Sequence, residues 1–272
     1  MNRETGPVFF YLLVDNGLLQ EASRNYGEPD AKSRPVWLQP IYVQSALEVS
    51  PFLIDIEAAF ESGDIEQVML FWNACKPALH VSIIESELRL EDIAQHFRRF
   101  IFVTDSTNRH FTLRFADCTV LACLSSVLTP AQWTAMTDPV RRWGVHGRSG
   151  SVTQLPTNRC EKCAPTPLRL DQEQLEELNE LSEPDHFIAK VTMMHHGAEF
   201  PGNAEDQHAW AKSARQQWKA AENSNPMSLL FLTEAMLLSG GAVLQREEVK
   251  NFLAMNDAND FREKLKDLVN NR

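Results

Sequence analysis

The sequence has few of the features that would assign it to a familiar class. It lacks basic charge: 26 Lys and Arg stand against 37 Asp and Glu, a formal net charge of −11. Such a chain repels phosphate backbones, and no compact basic stripe offsets this, so nucleic-acid binding is excluded as an expectation. Reading of anionic lipid is excluded on the same ground. No apolar run reaches the roughly 20 residues of a membrane span. The N-terminal apolar stretch Val8–Val14 stops at Asp15 without a small-residue cleavage site, and it reads as a strand rather than a signal peptide. A cytoplasmic location is therefore expected. The five cysteines, at 75, 118, 123, 160 and 163, have no regular spacing, which suits a reducing compartment.

Reactive motifs are also missing. There is no G-x-S-x-G, P-loop, G-x-G-x-x-G or H-E-x-x-H. Gly240–Gly241 follows a helical pattern and reads as a helix stop. The eight histidines show no metal spacing. Cys160-x-x-Cys163 is the one constellation that could hold zinc or form a redox pair, but it has no second pair and lies in a Pro-rich stretch. A zinc- or thiol-dependent protein using Cys160 and Cys163 is the alternative reading. Asp15 and Asp117 each end an apolar strand pattern; capping roles are expected of them before acid–base chemistry. No cofactor is expected.

What is present is periodicity. Apolar runs at 7–15, 52–56 and 78–84 read as strands, and 36–43 as an edge strand, because Pro40 cannot donate to a ladder. Helices are expected at 63–74, with Asp64 as cap, at 90–100 and at 120–128; another opens at Thr129–Pro130. Phe111–Phe115 should pair back on 101–104 across the turn at 105–109, and 141–145 reads as a last strand. Residues 147–167 carry two Gly, three Pro and no period, and read as a linker. Beyond it the pattern is helical. Asp171 with Gln174 forms a capping-box signature, 187–194 and 207–222 are helical, and Pro226–Ser239 is apolar on nearly every side. One or two amphipathic helices are expected to close the chain at 249–269. The expectation is an α/β (or α+β) lobe over 1–147 with a mixed sheet flanked by helices, a linker over 148–167, and an all-helical lobe over 168–272.

Several segments resemble one family in the same order. They are Tyr11–Asp15, Trp37–Ile41 (WLQPI), Ser50–Ile54 (SPFLI), Glu85–Ser86 followed by Leu90–Phe100 (LEDIAQHFRRF) with His96, Arg98 and Arg99, Leu113–Val120 (LRFADCTV) with Arg114 and Asp117, and Pro139–Trp143. This arrangement, over about residues 8–145, resembles the bacterial type VI secretion effector chaperones, the Tap/Tec adaptor proteins. Cys118 and Thr119 replace the usual Pro and Arg, and Asp138 replaces a Gly. The resemblance implies a non-enzymatic adaptor. Its expected partners are the N-terminal segment of a toxic effector, kept soluble in the cytoplasm, and the VgrG spike protein onto which the effector is loaded. Tryptophan and arginine dominate interface hot spots. The partner-binding candidates are therefore Trp37, Arg114 and Trp143 in the first lobe, and Trp210 and Trp218 in the second.

Overall fold

The computed structural model describes residues 6–22, 34–42, 46, 49–157, 163–255 and 257–270. The chain divides into two compact units, 1–178 and 179–272. In the first, a six-stranded sheet has the order β2-β3-β1-β4-β7-β8. Its strands are β1 (Phe9–Val14), β2 (Leu38–Pro40), β3 (Phe52–Asp55), β4 (Val81–Ser86), β7 (Val140–His146) and β8 (Val152–Gln154). Every described pairing in this sheet is antiparallel, which selects the α+β form of the expected lobe. A separate hairpin joins β5 (Phe102–Thr104) to β6 (His110–Thr112). β2 lies at the sheet edge, where Pro40 leaves no ladder bond unmade.

Both faces of the sheet are covered, so side chains of both parities are buried along β1. Tyr11 and Leu13 point into one core, with Ile84, Trp143, Phe97 and Leu121. That face is covered by α4 (Leu90–Arg98), α5 (Cys118–Val127) and α6 (Pro130–Thr137). Leu12 and Val14 point into the other, with Ile54, Trp37, Ala59 and Val68. Here α2 (Ile56–Glu61) and α3 (Ile65–Asn73) supply Ala59 and Val68. A short α1 (Asn16–Ala22) follows β1 directly.

Helix α4 works as a fastener. The ring of His96 is buried, and its Nε2 donates to the Met136 carbonyl of α6 (2.8 Å). Its Nδ1 accepts from Arg99. Arg98 donates to the carbonyls of Ile41 (3.1 Å) and Pro40 (3.2 Å), tying α4 to the edge strand. Burial pushes the His96 imidazole from 6.5 down to about 4. An unfolded His96 takes up a proton near 6.5, whereas the folded one stays neutral until about 4. Its contribution to stability is therefore complete above 6.5 and is lost as pH falls toward 4. At pH 5 the expected loss is about 2 kcal/mol from this group alone. Urea midpoints at pH 7 and pH 5 should converge less in the wild type than in His96→Gln, and an equal acid loss in both proteins would refute the assignment.

The span 148–167 differs from the expected linker. β8 pairs with β7, Leu155 is buried, and Trp133 Nε1 donates to the Pro156 carbonyl (2.7 Å). Leu168 and Leu170 are buried in the first core, and their backbones bond to Thr104 on β5. The first unit therefore holds the chain through Leu178, because these leucines have their apolar partners there. The Asp171–Gln174 box forms as expected, with reciprocal bonds of 2.9 and 3.2 Å. It opens α7 (Gln172–Met194), a single helix of 23 residues that continues through Pro184.

In the second unit, α9 (Pro226–Ser239) is the central helix, packed by α8 (Ala204–Ala220) and α11 (Ala258–Asn270). Leu229, Leu232, Met236 and Leu237 are buried with Ala214, Phe261 and Leu265. Helix α9 thus has most of its apolar surface covered by the chain's own helices, with Met227 and Leu238 left exposed. It stops at Gly240, in the left-handed region at φ +60°, before a 3-10 turn at Ala242–Gln245 and α10 (Glu248–Leu253). No helix among the described residues is long and apolar enough to cross a membrane.

Candidate functional site

Two of the tryptophans expected at an interface, Trp37 and Trp143, lie in the core. Trp37 is fully buried, and its Nε1 donates to Asp64 Oδ2 (2.7 Å). That bond engages the carboxylate expected to cap α3, which makes no side-chain cap there. Trp143 is fully buried between Phe97 and Trp133, and its Nε1 donates to Ser82 Oγ (3.0 Å). A partner could reach neither ring without opening the core. Trp210 and Trp218 are half-buried against the helical core. Trp210 lies so close over Gly241 that a Cβ there would meet its Nε1 at 2.6 Å, and Gly241 sits at φ +82°. Trp218 Nε1 donates to the Asn225 carbonyl (3.0 Å). All four read from residue type as contact residues, yet each has its polar edge or its faces occupied by the fold.

Arg114 is different, because its side chain is half-exposed and lies at a cavity of about 480 Å³. Three elements bring charge together here. β1 is followed by Asp15, whose backbone N–H donates to the His80 carbonyl (2.8 Å) and whose Oδ1 accepts from Leu18 N–H (3.0 Å), capping α1. Asp117 caps α5, accepting from the backbone N–H (2.9 Å) and the hydroxyl (2.7 Å) of Thr119. Arg114 reaches Asp15 Oδ2 at 3.4 Å and Asp117 Oδ2 at 3.7 Å. Burial pushes the Asp117 carboxyl above the usual carboxylate range, and the charge of Asp15 adds to this; Thr119 and Arg114 oppose it. The cap expected of each aspartate is present, and the two share one guanidinium.

Beyond this polar end the walls are apolar: Val49, Pro51, Ile101, Phe102 and Ala116, with Tyr42. Val49 and Phe102 are about half-exposed, so an apolar wall continues to the protein surface. Burial, with the charge of Asp15, raises the Tyr42 phenol above its ordinary value. The arrangement can take in apolar side chains while a fixed ion cluster sets their orientation. Phe102 and Val49 were not singled out by the sequence. The available signal was an aromatic residue in a hairpin too short to bury it, since β6 is exposed at all three positions.

Of the alternative zinc or thiol site, Cys160 lies outside the described residues and Cys163 is exposed. Among the described residues no group of three His, Cys, Asp or Glu is placed to hold a metal ion. The buried Cys118 thiol donates to the Val81 carbonyl (3.1 Å) and is pushed up to about 12, chiefly by burial. It is a packed thiol rather than a nucleophile.

Comparison with known proteins gives no match to any curated protein or any solved structure. Residues 10–135, which run from β1 into α6 and contain Asp15, Arg114 and Asp117, match the model of the family described as a domain of unknown function (DUF4123).

Proposed function

We propose that this protein is a cytoplasmic adaptor for a type VI secretion effector. It binds the effector's N-terminal segment, keeps it soluble and delivers it to the VgrG spike. It acts by binding and makes or breaks no covalent bond. The observation that carries this reading is the apolar cavity ending in Asp15, Arg114 and Asp117. It lies inside the stretch that matches the family, and its ion cluster is built from the residues that carry the resemblance to the Tap/Tec adaptors. An apolar trough with a charged end suits a helix that would aggregate in water. Burial of its side chains supplies affinity and the ion cluster fixes its register.

Co-expression with a candidate effector from the neighbouring gene tests the proposal. The expected result is a stable 1:1 complex by light scattering after size exclusion, with the effector insoluble alone. Phe102→Asp alters an exposed wall and spares the core. It should weaken the complex about tenfold, or about 1.4 kcal/mol, as should Arg114→Gln. Failure of the neighbouring effector to co-purify with the wild-type chain overturns the adaptor reading. Binding indifferent to both substitutions overturns the choice of cavity.

A further inference from the structure

The other face of the sheet carries a second surface. α2 presents Glu57, Phe60 and Glu61 outward, and α3 presents Glu66, Met69 and Leu70, each at the i, i+3, i+4 spacing of one helix face. Phe60 is 70% exposed, Leu70 58% and Met69 48%. The opposite sides of both helices are firmly seated, with Ala59 and Val68 buried in the core with Leu12 and Ile54. The turn between the helices is fixed by Asp64, whose N–H donates to the Ala59 carbonyl (2.9 Å) and whose carboxylate holds Trp37. Three large apolar side chains thus stand outward on a fixed scaffold. Isolated exposed apolar residues are ordinary, whereas three large ones on two consecutive helices seated on the same core are a candidate interaction surface.

Its charge selects the occupant. No Lys, Arg or His occurs between Arg34 and Lys76, while Glu48, Asp55, Glu57, Glu61, Asp64 and Glu66 do. Asp55 caps α2 and Asp64 holds Trp37, whereas Glu57, Glu61 and Glu66 are exposed beside the apolar residues. A second copy of the chain meeting this face by two-fold symmetry would set carboxylate against carboxylate. An anionic lipid surface would be repelled. We propose that the outward face of α2 and α3 docks a basic amphipathic helix of another protein. Its apolar stripe would rest on Phe60, Met69 and Leu70, and its Lys and Arg would lie against Glu57, Glu61 and Glu66. Burial supplies most of the affinity; the exposed ion pairs add little each, but they exclude acidic helices and make binding salt-dependent. This proposal stands apart from the adaptor reading, whose cavity lies on the other face of the sheet.

The test uses the full chain and a synthetic amphipathic helix of leucine and lysine, with a leucine–glutamate version as its counterpart, in titration calorimetry. The lysine peptide should bind, more weakly as salt rises, and the glutamate peptide should not. Leu70→Ser and Phe60→Ser alter exposed positions, and each should weaken binding about tenfold. Glu57→Lys with Glu61→Lys should do the same. Glu176→Lys with Glu177→Lys, exposed acids on α7, should leave binding within about twofold. The proposal is overturned if the α7 reversal weakens binding as much as the α2 reversal, which would mean unspecific charge attraction. Equal binding of the glutamate peptide overturns it, as does self-association of the chain that Leu70→Ser abolishes. If the peptide fails while the effector complex still forms, this proposal falls and the adaptor reading stands.

Discussion

Trp143→Ala is expected to cost the first unit about 4 kcal/mol of stability, the largest effect of any single change considered for this unit. The ring is fully buried on β7, which pairs with β4 on one side and β8 on the other. It lies 5.3 Å from Phe97 and 6.4 Å from Trp133, so its removal hollows the contact between sheet, α4 and α6. The substitution also removes the N–H that donates to Ser82 Oγ and leaves that hydroxyl buried on β4. Cavity and lost bond act in the same direction. Trp143→Phe keeps most of the packing and loses the donor, so about 1–2 kcal/mol is expected. Urea denaturation followed by near-ultraviolet dichroism measures both. If Trp143→Ala left the urea midpoint unchanged and only weakened partner binding, the ring would be a contact residue and its placement in the core would be wrong.

Residue type misled at Trp143 and Trp37 for a physical reason. In a sheet covered on one side, alternation tells inward from outward positions. Here both faces are covered, and β1 is buried at four consecutive residues, Tyr11 to Val14, so parity carries no such information. A tryptophan in such a sheet is core on either side. Elements with strong local signals were legible. The helix start at Thr129–Pro130, the capping box at Asp171, the stop of α9 at Gly240 and the 105–109 hairpin turn all formed where the sequence placed them. Short elements were not. β8 is three exposed residues whose pairing depends wholly on β7, and α2, capped by Asp55, opens inside the apolar run 52–56 that reads as strand. The cavity's ion cluster was legible only as parts. Asp15 and Arg114 are 99 residues apart, and only the sheet order and the loop after β6 bring them together.

The apolar helix α9 carries one carboxylate, Glu234, and a large effect is expected from removing its partner. Glu234 is buried and accepts from Arg262 of α11 at 3.1 and 3.2 Å, while His195 Nε2 lies 2.9 Å from Oε1. The Arg262 guanidinium also lies 4.7 Å over the Phe231 ring, so it is held by charge and by the aromatic face. Arg262→Met should cost about 3 kcal/mol, because it leaves a buried carboxylate with His195 as its remaining partner. The cost of desolvating Glu234 disappears if the carboxylate goes too, so Glu234→Leu combined with Arg262→Met should cost about 1 kcal/mol or less. Urea midpoints of the two single variants and the pair give the coupling directly. A pair as unstable as Arg262→Met alone would mean that Arg262 acts by packing on Phe231. The smaller loss expected for the pair would instead identify the ion pair as a specificity device. Any other register of α9 against α11 would leave the Glu234 carboxylate buried without Arg262, so the pair favours the one that brings the two together.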